Sequence, residues 1–308
     1  MMKGCSLLIS IIMMLSMSGC FTGIESTPKI TADDVKRQQA VASDEERFLK
    51  DIAPQQLSDW EKGKLFYVTD DKISLALEPG SKSYPKATEY IEFQSSRELP
   101  SMTGKPDTEL IFLNQAGDEV RYRIQAPSDE LDKRRKIEIP FTVETSIVDD
   151  VKKALLGNTY YIRTSTWFDD NGAALRGNKF IPVKITDVLP GNTVYPVKLQ
   201  FTPASENLQP AYLYMSAGDA AKGARDFASL FYFDDPHKRY PNITDETWNN
   251  IIRGKVALYM TREECRLALG SPASIDRRPG ISTMRELWTY ENGIYLIFDD
   301  GILQSFRN

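Results

Sequence analysis

The sequence predicts an α+β protein with small antiparallel β-barrel or sandwich units, followed by a C-terminal module of two helices and three strands. Short runs of aromatic and β-branched residues alternate with turn signals between residues 63 and 216, which is typical of such β units. Helix-start signals stand on both sides of this region. Near the end of the chain, Asn292-Gly293 and Asp300-Gly301 are residue pairs that two-residue hairpin turns favour, and they join three strand-like runs.

Residues 1–19 have the pattern of a signal peptide. Lys3 gives the start a positive charge, and the apolar run at residues 7–15 is shorter than the about 20 residues that span a bilayer. The small residues Ser18 and Gly19 directly precede Cys20. This pattern resembles the lipobox of bacterial lipoproteins, and the resemblance implies cleavage before Cys20 and attachment of acyl chains such as palmitate. The alternative is an ordinary secretory signal with a chance cysteine.

The expected lipid on Cys20 determines where the protein should be found. Several acyl chains anchor a protein firmly, because each buried methylene contributes about 0.8 kcal/mol. Phe21 follows the cysteine. An Asp at that position would resemble the inner-membrane retention signal of Gram-negative lipoproteins, so its absence favours the outer membrane. We therefore expect a lipid-anchored protein of the cell envelope, on a face of the outer membrane that the sequence leaves open.

The charge and the few cysteine and histidine residues exclude several kinds of site. The net charge is −5 and the basic run at residues 133–136 is short, so no nucleic-acid partner is expected. Cys5 leaves with the leader and Cys20 carries lipid, so Cys265 has no cysteine to pair with. His237 is the only histidine. We expect neither a metal site nor a cofactor.

The region after Cys20 is predicted as a tether at residues 20–30 and a helical segment at residues 31–62. Thr31 gives a first helix start, and Ser43 with Glu46 has the spacing of a capping box. A third short helix begins at Pro54.

Two β units are expected, at residues 63–145 and residues 146–216. The segment after Gly157 echoes the segment after Gly63, since each has one glycine and two aromatic residues. A duplication would explain this echo, and convergent strand composition explains it equally well.

Three segments of the first unit have distinct strand signals. Apolar residues alternate from residue 73 to residue 77, and residues 109–124 are typical of a hairpin. Residues 137–143 are predicted to be a strand, and Pro140 places it at a sheet edge because proline lacks an N–H.

The remaining chain is predicted as a helix and linker at residues 217–243, with the helix at 220–230, and the final module at residues 244–308. The second helix of this module begins at a capping box formed by Thr261 and Glu264.

The residues that carry a family resemblance lie in three groups, namely 260–272, 288–290 and 296–303. In this order and spacing they resemble the SmpA/OmlA (BamE-like) lipoprotein domain over residues 245–308. Family members usually have Gly at the position of Tyr259 and a branched aliphatic residue at that of Cys265. The resemblance implies a helix pair packed on a small antiparallel sheet, and a domain that works by protein–protein contact and has no catalytic residues.

Three features could suggest catalysis or metal binding, and each has a simpler interpretation. Cys265 could be a nucleophile, but it occupies an apolar helix position. His237 lies in a polar loop, where a surface or loop-anchoring role is favoured over that of a general base. Residues 169–172 resemble part of a calcium loop but lack its distal Glu, so a turn between strands is favoured. We expect no enzyme activity.

A group of aromatic residues in the second β unit could form a binding patch. Tyr160, Tyr161, Trp167 and Phe168 lie close together in sequence. Alternation should place some of them outside, where they could hold a peptide or a glycan, while core packing is the alternative.

These observations together favour a non-enzymatic scaffold lipoprotein that binds another envelope protein. The alternative is binding of cell-wall glycan or peptide by the β units.

Overall fold

The structure, a computed structural model, describes residues 43–307 except for residues 103, 135, 205–208, 219–224 and 280–282. The chain divides into two units, Met1–Ala42 and Ser43–Asn308. The predicted signal peptide, Cys20, the tether and the helix start at Thr31 belong to the first unit, which lies outside the described residues.

β-structure dominates this unit. Its described residues form sixteen strands in three sheets, all paired antiparallel, and six short α-helices. The predicted α+β class, with small barrel or sandwich units and a helix-helix-three-strand module, is therefore wrong. The helices are α1 (Asp44–Arg47), α2 (Ser128–Asp132), α3 (Thr145–Leu155), α4 (Phe227–Leu230), α5 (Asp245–Ile252) and α6 (Arg262–Leu269).

The first sheet has five strands in the order β4-β3-β2-β1-β5. They are β1 (Leu65–Val68), β2 (Tyr90–Leu99), β3 (Asp107–Leu113), β4 (Glu119–Ile124) and β5 (Thr142–Glu144). Its core is built on aromatic residues, since the Phe66 ring lies 4.9 Å from Trp60 and 5.7 Å from Phe112. Such tilted and edge-to-face pairs add to the stabilisation that burial alone provides.

The strand predictions for this sheet are partly correct. The hairpin at residues 109–124 is confirmed as β3 and β4. The alternating run near residue 73 is not a strand but a 3₁₀ helix, Asp71–Leu75, because the Asp70 side chain accepts a hydrogen bond from the Lys72 amide and caps it. The strand expected at 137–143 is reduced to β5, an edge strand that begins after Phe141, whose φ of 60° interrupts extended backbone.

The second sheet has seven strands in the order β12-β6-β9-β10-β11-β7-β8. They are β6 (Thr159–Ile162), β7 (Thr166–Phe168), β8 (Ala174–Arg176), β9 (Pro182–Pro190), β10 (Val197–Pro203), β11 (Ala211–Met215) and β12 (Phe231–Tyr232). Helix α3 covers its core with Val148, Val151 and Leu155. One strand of this sheet, β12, lies in the region predicted as a linker. The 169–172 segment is the β7–β8 turn, as predicted.

The third sheet forms the C-terminal end and has four strands, β13 (Ser274–Pro279), β14 (Met284–Thr289), β15 (Tyr295–Asp299) and β16 (Ile302–Arg307). Strand β13 is the one that the sequence did not reveal. Its residues are mostly charged and exposed, so no apolar alternation marks it, and backbone pairing with β14 holds it in place. The capping box at Thr261 and the turn at Asp300-Gly301 are confirmed.

The three sheets share one compact unit through a few specific contacts. Phe180, just before β9, stacks on Trp248 of α5 with ring centroids 5.6 Å apart. Across the ranges that the structure describes, every helix falls short of the length and hydropathy needed to cross a bilayer.

A buried ion pair lies where the first sheet meets α3. Lys64 Nζ donates to Glu144 Oε1 at 2.6 Å, and the two side chains are 6 % and 5 % exposed. Lys64 also donates to Gln55 Oε1 at 2.5 Å. Glu144 accepts from the Gln55 amide at 3.1 Å and from the Ser146 hydroxyl at 2.7 Å. These additional bonds offset much of the cost of removing two charges from water.

We expect Lys64→Met to lower the free energy of unfolding by about 3–5 kcal/mol, because it leaves the Glu144 carboxylate buried without its cation. The double variant Lys64→Met/Glu144→Gln should recover part of the loss, since the amide oxygen still accepts hydrogen bonds. Urea unfolding followed by circular dichroism measures both. A Lys64→Met protein as stable as the parent would contradict this account of the pair.

Lys179 is a second buried charge, located between the second sheet and α5. The residue is 9 % exposed, and its Nζ lies 5.6 Å from the Phe180 ring. No carboxylate of the described residues forms an ion pair with it. Burial lowers the pKa of the Lys179 ammonium from 10.5 to about 8. The charged form of this side chain therefore destabilises the junction.

Lys179→Met should stabilise the protein at neutral pH by on the order of 3 kcal/mol, the free-energy equivalent of this lowered pKa. Below pH 8 both folded and unfolded chains carry the charge, so the gain is complete. Between about pH 8 and 10.5, Lys179 is protonated in the unfolded chain but not in the folded one, so the parent protein becomes more stable as the pH rises. The stability difference between Lys179→Met and the parent therefore disappears over this range. Chemical unfolding at several pH values measures the stability difference, and Lys184→Met, at an exposed position of β9, is the control. A gain that is independent of pH would contradict the assignment.

Candidate functional site

The four aromatic residues predicted as a binding patch point in two directions. Tyr160 and Trp167 are both 6 % exposed and pack in the core of the second sheet, Tyr160 against Phe227 and Trp167 against Phe201. Tyr161 and Phe168 are their neighbours on β6 and β7, so alternation turns them to the opposite face, where they are partly exposed. The structure therefore does not bring the four together on one surface.

Phe168 instead belongs to a cluster that the sequence did not reveal. Its ring lies 5.5 Å from Tyr214, and the Arg225 guanidinium lies 5.9 Å from Phe168 and 5.7 Å from Tyr195. Tyr67 of β1 packs against the core of the second sheet and against Tyr90, so the first sheet lies beside these rings. Burial, and then the nearby Tyr90 and Tyr214 phenols, raise the pKa of Tyr67. We call Tyr67, Tyr90, Phe168, Tyr195 and Tyr214 the outer aromatic cluster. The sequence separates its members too widely to predict it.

An open cavity of about 740 Å³ lies where α6 meets β14 and the turn before β16. We call it the arginine groove. Its charged lining comprises Arg262, Glu263, Arg266, Arg277, Glu286 and Asp300. Tyr240, Leu267 and Ile302 contribute aromatic and aliphatic surface beside these charges.

Glu286 is the buried centre of the groove, with a side chain only 2 % exposed. Its carboxylate accepts from Arg262 Nη1 at 2.6 Å and from Trp288 Nε1 at 2.9 Å, and Arg277 Nε lies 3.4 Å away. Burial raises the pKa of Glu286, but the Trp288 hydrogen bond and the charges of Arg262 and Arg277 outweigh it and lower the pKa overall. Glu286 therefore stays ionised and holds two arginines in place.

Gly301 leaves the space that Arg262 occupies. Thr261 caps α6, which places Arg262 in its first turn, and the Arg262 amide donates to the Gly301 carbonyl at 3.1 Å. Gly301 has a φ of 86°, and a Cβ added there would lie 2.9 Å from Nε and Nη2 of Arg262. A larger residue at this turn would both strain the backbone and displace the guanidinium.

Arg266 lies one turn further along α6 and differs from the other two arginines. Its guanidinium carbon lies 4.7 Å from the centre of the Trp288 ring, a cation–π contact. Among the described residues, no carboxylate forms an ion pair with it. Arg266 is exposed, so its N–H donors face the groove without an acidic partner. This arrangement can bind an anion.

The residues considered for catalysis occupy structural positions. Cys265 is fully buried, and burial, followed by the charge of Glu264, raises the pKa of its thiol to about 12. His237 stacks on Trp248 at 4.5 Å, and its Nε2 lies 3.2 Å from the Ile243 carbonyl oxygen. In the part of the chain that the structure describes, no three His, Cys, Asp or Glu side chains are arranged to hold a metal ion.

Comparison of the chain with family models, with curated proteins and with solved structures found no match in any of the three. The resemblance of residues 245–308 to the SmpA/OmlA family therefore gains no support from them, and the four-stranded sheet departs from the expected three strands.

Proposed function

We propose that this chain is a lipid-anchored, non-enzymatic protein of the bacterial cell envelope that binds another envelope protein. The observation that carries the binding part is Arg266, which is fixed on Trp288 in an open groove and has no acidic partner among the described residues. The anchor rests on the sequence around Cys20 alone.

The proposed anchor follows from the leader. A charged start, a short apolar run and small residues before Cys20 are typical of lipoprotein signals. Phe21 favours transport to the outer membrane over retention at the inner one. A protein anchored there acts within reach of a membrane, where the partners available to it are other envelope components.

The proposed binding follows from the chemistry of the arginine groove. Arginine and aromatic residues are enriched among those that dominate protein–protein binding energy. Glu286 and Trp288 hold the arginines before any partner arrives, which reduces the entropy lost on binding.

The outer aromatic cluster favours a second candidate, binding of cell-wall glycan or peptide by the β units. Tyr90 is 38 % exposed, and Tyr67 packs against it with ring centroids 5.4 Å apart. Partly exposed rings of this kind offer apolar faces and hydroxyl groups to a sugar or peptide.

Metabolic labelling with a palmitate analogue tests the anchor. The parent protein and Cys265→Ala should both incorporate the label and sediment with membranes, whereas Cys20→Ala should do neither, because only Cys20 follows the lipobox-like residues. Label on the Cys20→Ala protein would contradict the anchor.

Affinity capture tests the partner. Tagged full-length protein, crosslinked in intact cells and purified from detergent-solubilised envelopes, should retain at least one envelope protein that is absent from an untagged control. Recovery of no such protein would contradict the proposed function. Retention on purified peptidoglycan that depends on Tyr90 would favour the second candidate instead.

A further inference from the structure

We propose that the arginine groove recognises a carboxylate on a peptide segment of the partner, with an apolar side chain next to that carboxylate. This inference rests on the proposed function, whose ligand chemistry it names. It assigns Arg266 as the residue that contacts the ligand carboxylate.

The hydrogen bonds within the groove leave one guanidinium available. Glu286 is already bonded to Arg262 and Trp288 and lies near Arg277. Arg266 has the Trp288 ring beneath it and no carboxylate partner among the described residues. A ligand carboxylate could accept two parallel N–H···O hydrogen bonds from the Arg266 guanidinium. The planar guanidinium is preorganised for this bidentate geometry.

The other acidic side chains of the lining, Glu263 and Asp300, do not pair with Arg266. Asp300 Oδ1 accepts the Met284 amide at 2.8 Å, which ties this side chain to the start of β14. Glu263 is exposed in the first turn of α6, where the helix dipole favours a negative charge. Neither carboxylate forms an ion pair with Arg266.

The apolar part of the lining distinguishes a peptide from a small anion. Tyr240, Leu267 and Ile302 are partly exposed beside the arginines. An aliphatic side chain next to an acidic one would bury this surface, which phosphate or a lipid headgroup cannot do. The volume of about 740 Å³ lies within the range of roughly 300–1,000 Å³ of small-ligand sites, which accommodates a few residues.

The test is fluorescence anisotropy with full-length protein in detergent and a labelled short peptide that alternates Leu and Glu. We expect saturable binding that weakens as salt is added, and at least about tenfold weaker binding of a Leu/Gln peptide, since charged hydrogen bonds are lost. Arg266→Gln should weaken binding of the Leu/Glu peptide by a similar factor. Arg266→Lys should give an intermediate affinity, because the charge remains without the planar fork.

Arg285→Gln is the matched control. Arg285 is an exposed arginine on β14, paired with Asp299 at 2.9 Å, and it alternates with the inward-facing Glu286. Its loss should leave the affinity unchanged. Circular dichroism melting curves establish that each variant is folded. Equal binding of the Glu and Gln peptides, or equal effects of Arg266→Gln and Arg285→Gln, would overturn the inference.

Two further outcomes separate this inference from the proposed function. If envelope capture retains the same partner with the parent and with Arg266→Gln, the partner binds elsewhere, so the inference fails and the proposed function stands. If capture recovers no partner, the proposed function fails. The anisotropy measurements then decide by themselves whether the groove binds the acidic peptide. Displacement of the peptide by inorganic phosphate or by anionic lipid vesicles, at concentrations similar to that of the peptide, would show that the groove recognises phosphate groups and would overturn the inference.

Discussion

The buried ion pair between Lys64 and Glu144 determines how the first two sheets are joined. Lys64 directly precedes β1, and Glu144 ends β5 and directly precedes α3. The pair therefore fixes the start of one strand, the end of its neighbour and the start of the helix that covers the second sheet. Isolated charges would cost several kcal/mol in this environment, and the hydrogen bonds from Gln55 and Ser146 to Glu144 offset part of that cost.

The C-terminal module depends on a different kind of contact. Phe180 stacks on Trp248, which also stacks on His237, so aromatic faces join the second sheet to α5. Glu45 of α1 adds an ion pair of 2.9 Å with Arg239. Within the module, Arg262 donates to Glu286 and Arg266 contacts the Trp288 ring.

Features with a clear local signal, such as helix caps and tight hairpin turns, could mostly be predicted from the sequence, and a strand without such a signal could not. The capping box at Thr261 and the turn at Asp300-Gly301 depend on neighbours a few residues away, and both are present. Strand β13 shows no apolar alternation, because its residues are mostly charged and exposed, and it is held by pairing with β14 that sets Arg277 opposite Glu286. The same register creates the groove. The spacing of Arg262 and Arg266 on one helix is visible in the sequence, but the sequence does not show that β14 brings Glu286 and Trp288 against that helix.

The overall charge bears on how an acidic segment could reach the groove. The chain carries a net charge of −5, so its long-range field does not attract an acidic partner. Charges separated by more than about 8 Å are largely screened at physiological ionic strength. Recognition must then depend on contacts made within the groove, where Arg266 is fixed on the Trp288 ring. Such an interface gains selectivity chiefly through slow dissociation, and a membrane anchor that holds both partners on one surface would compensate for slow encounter.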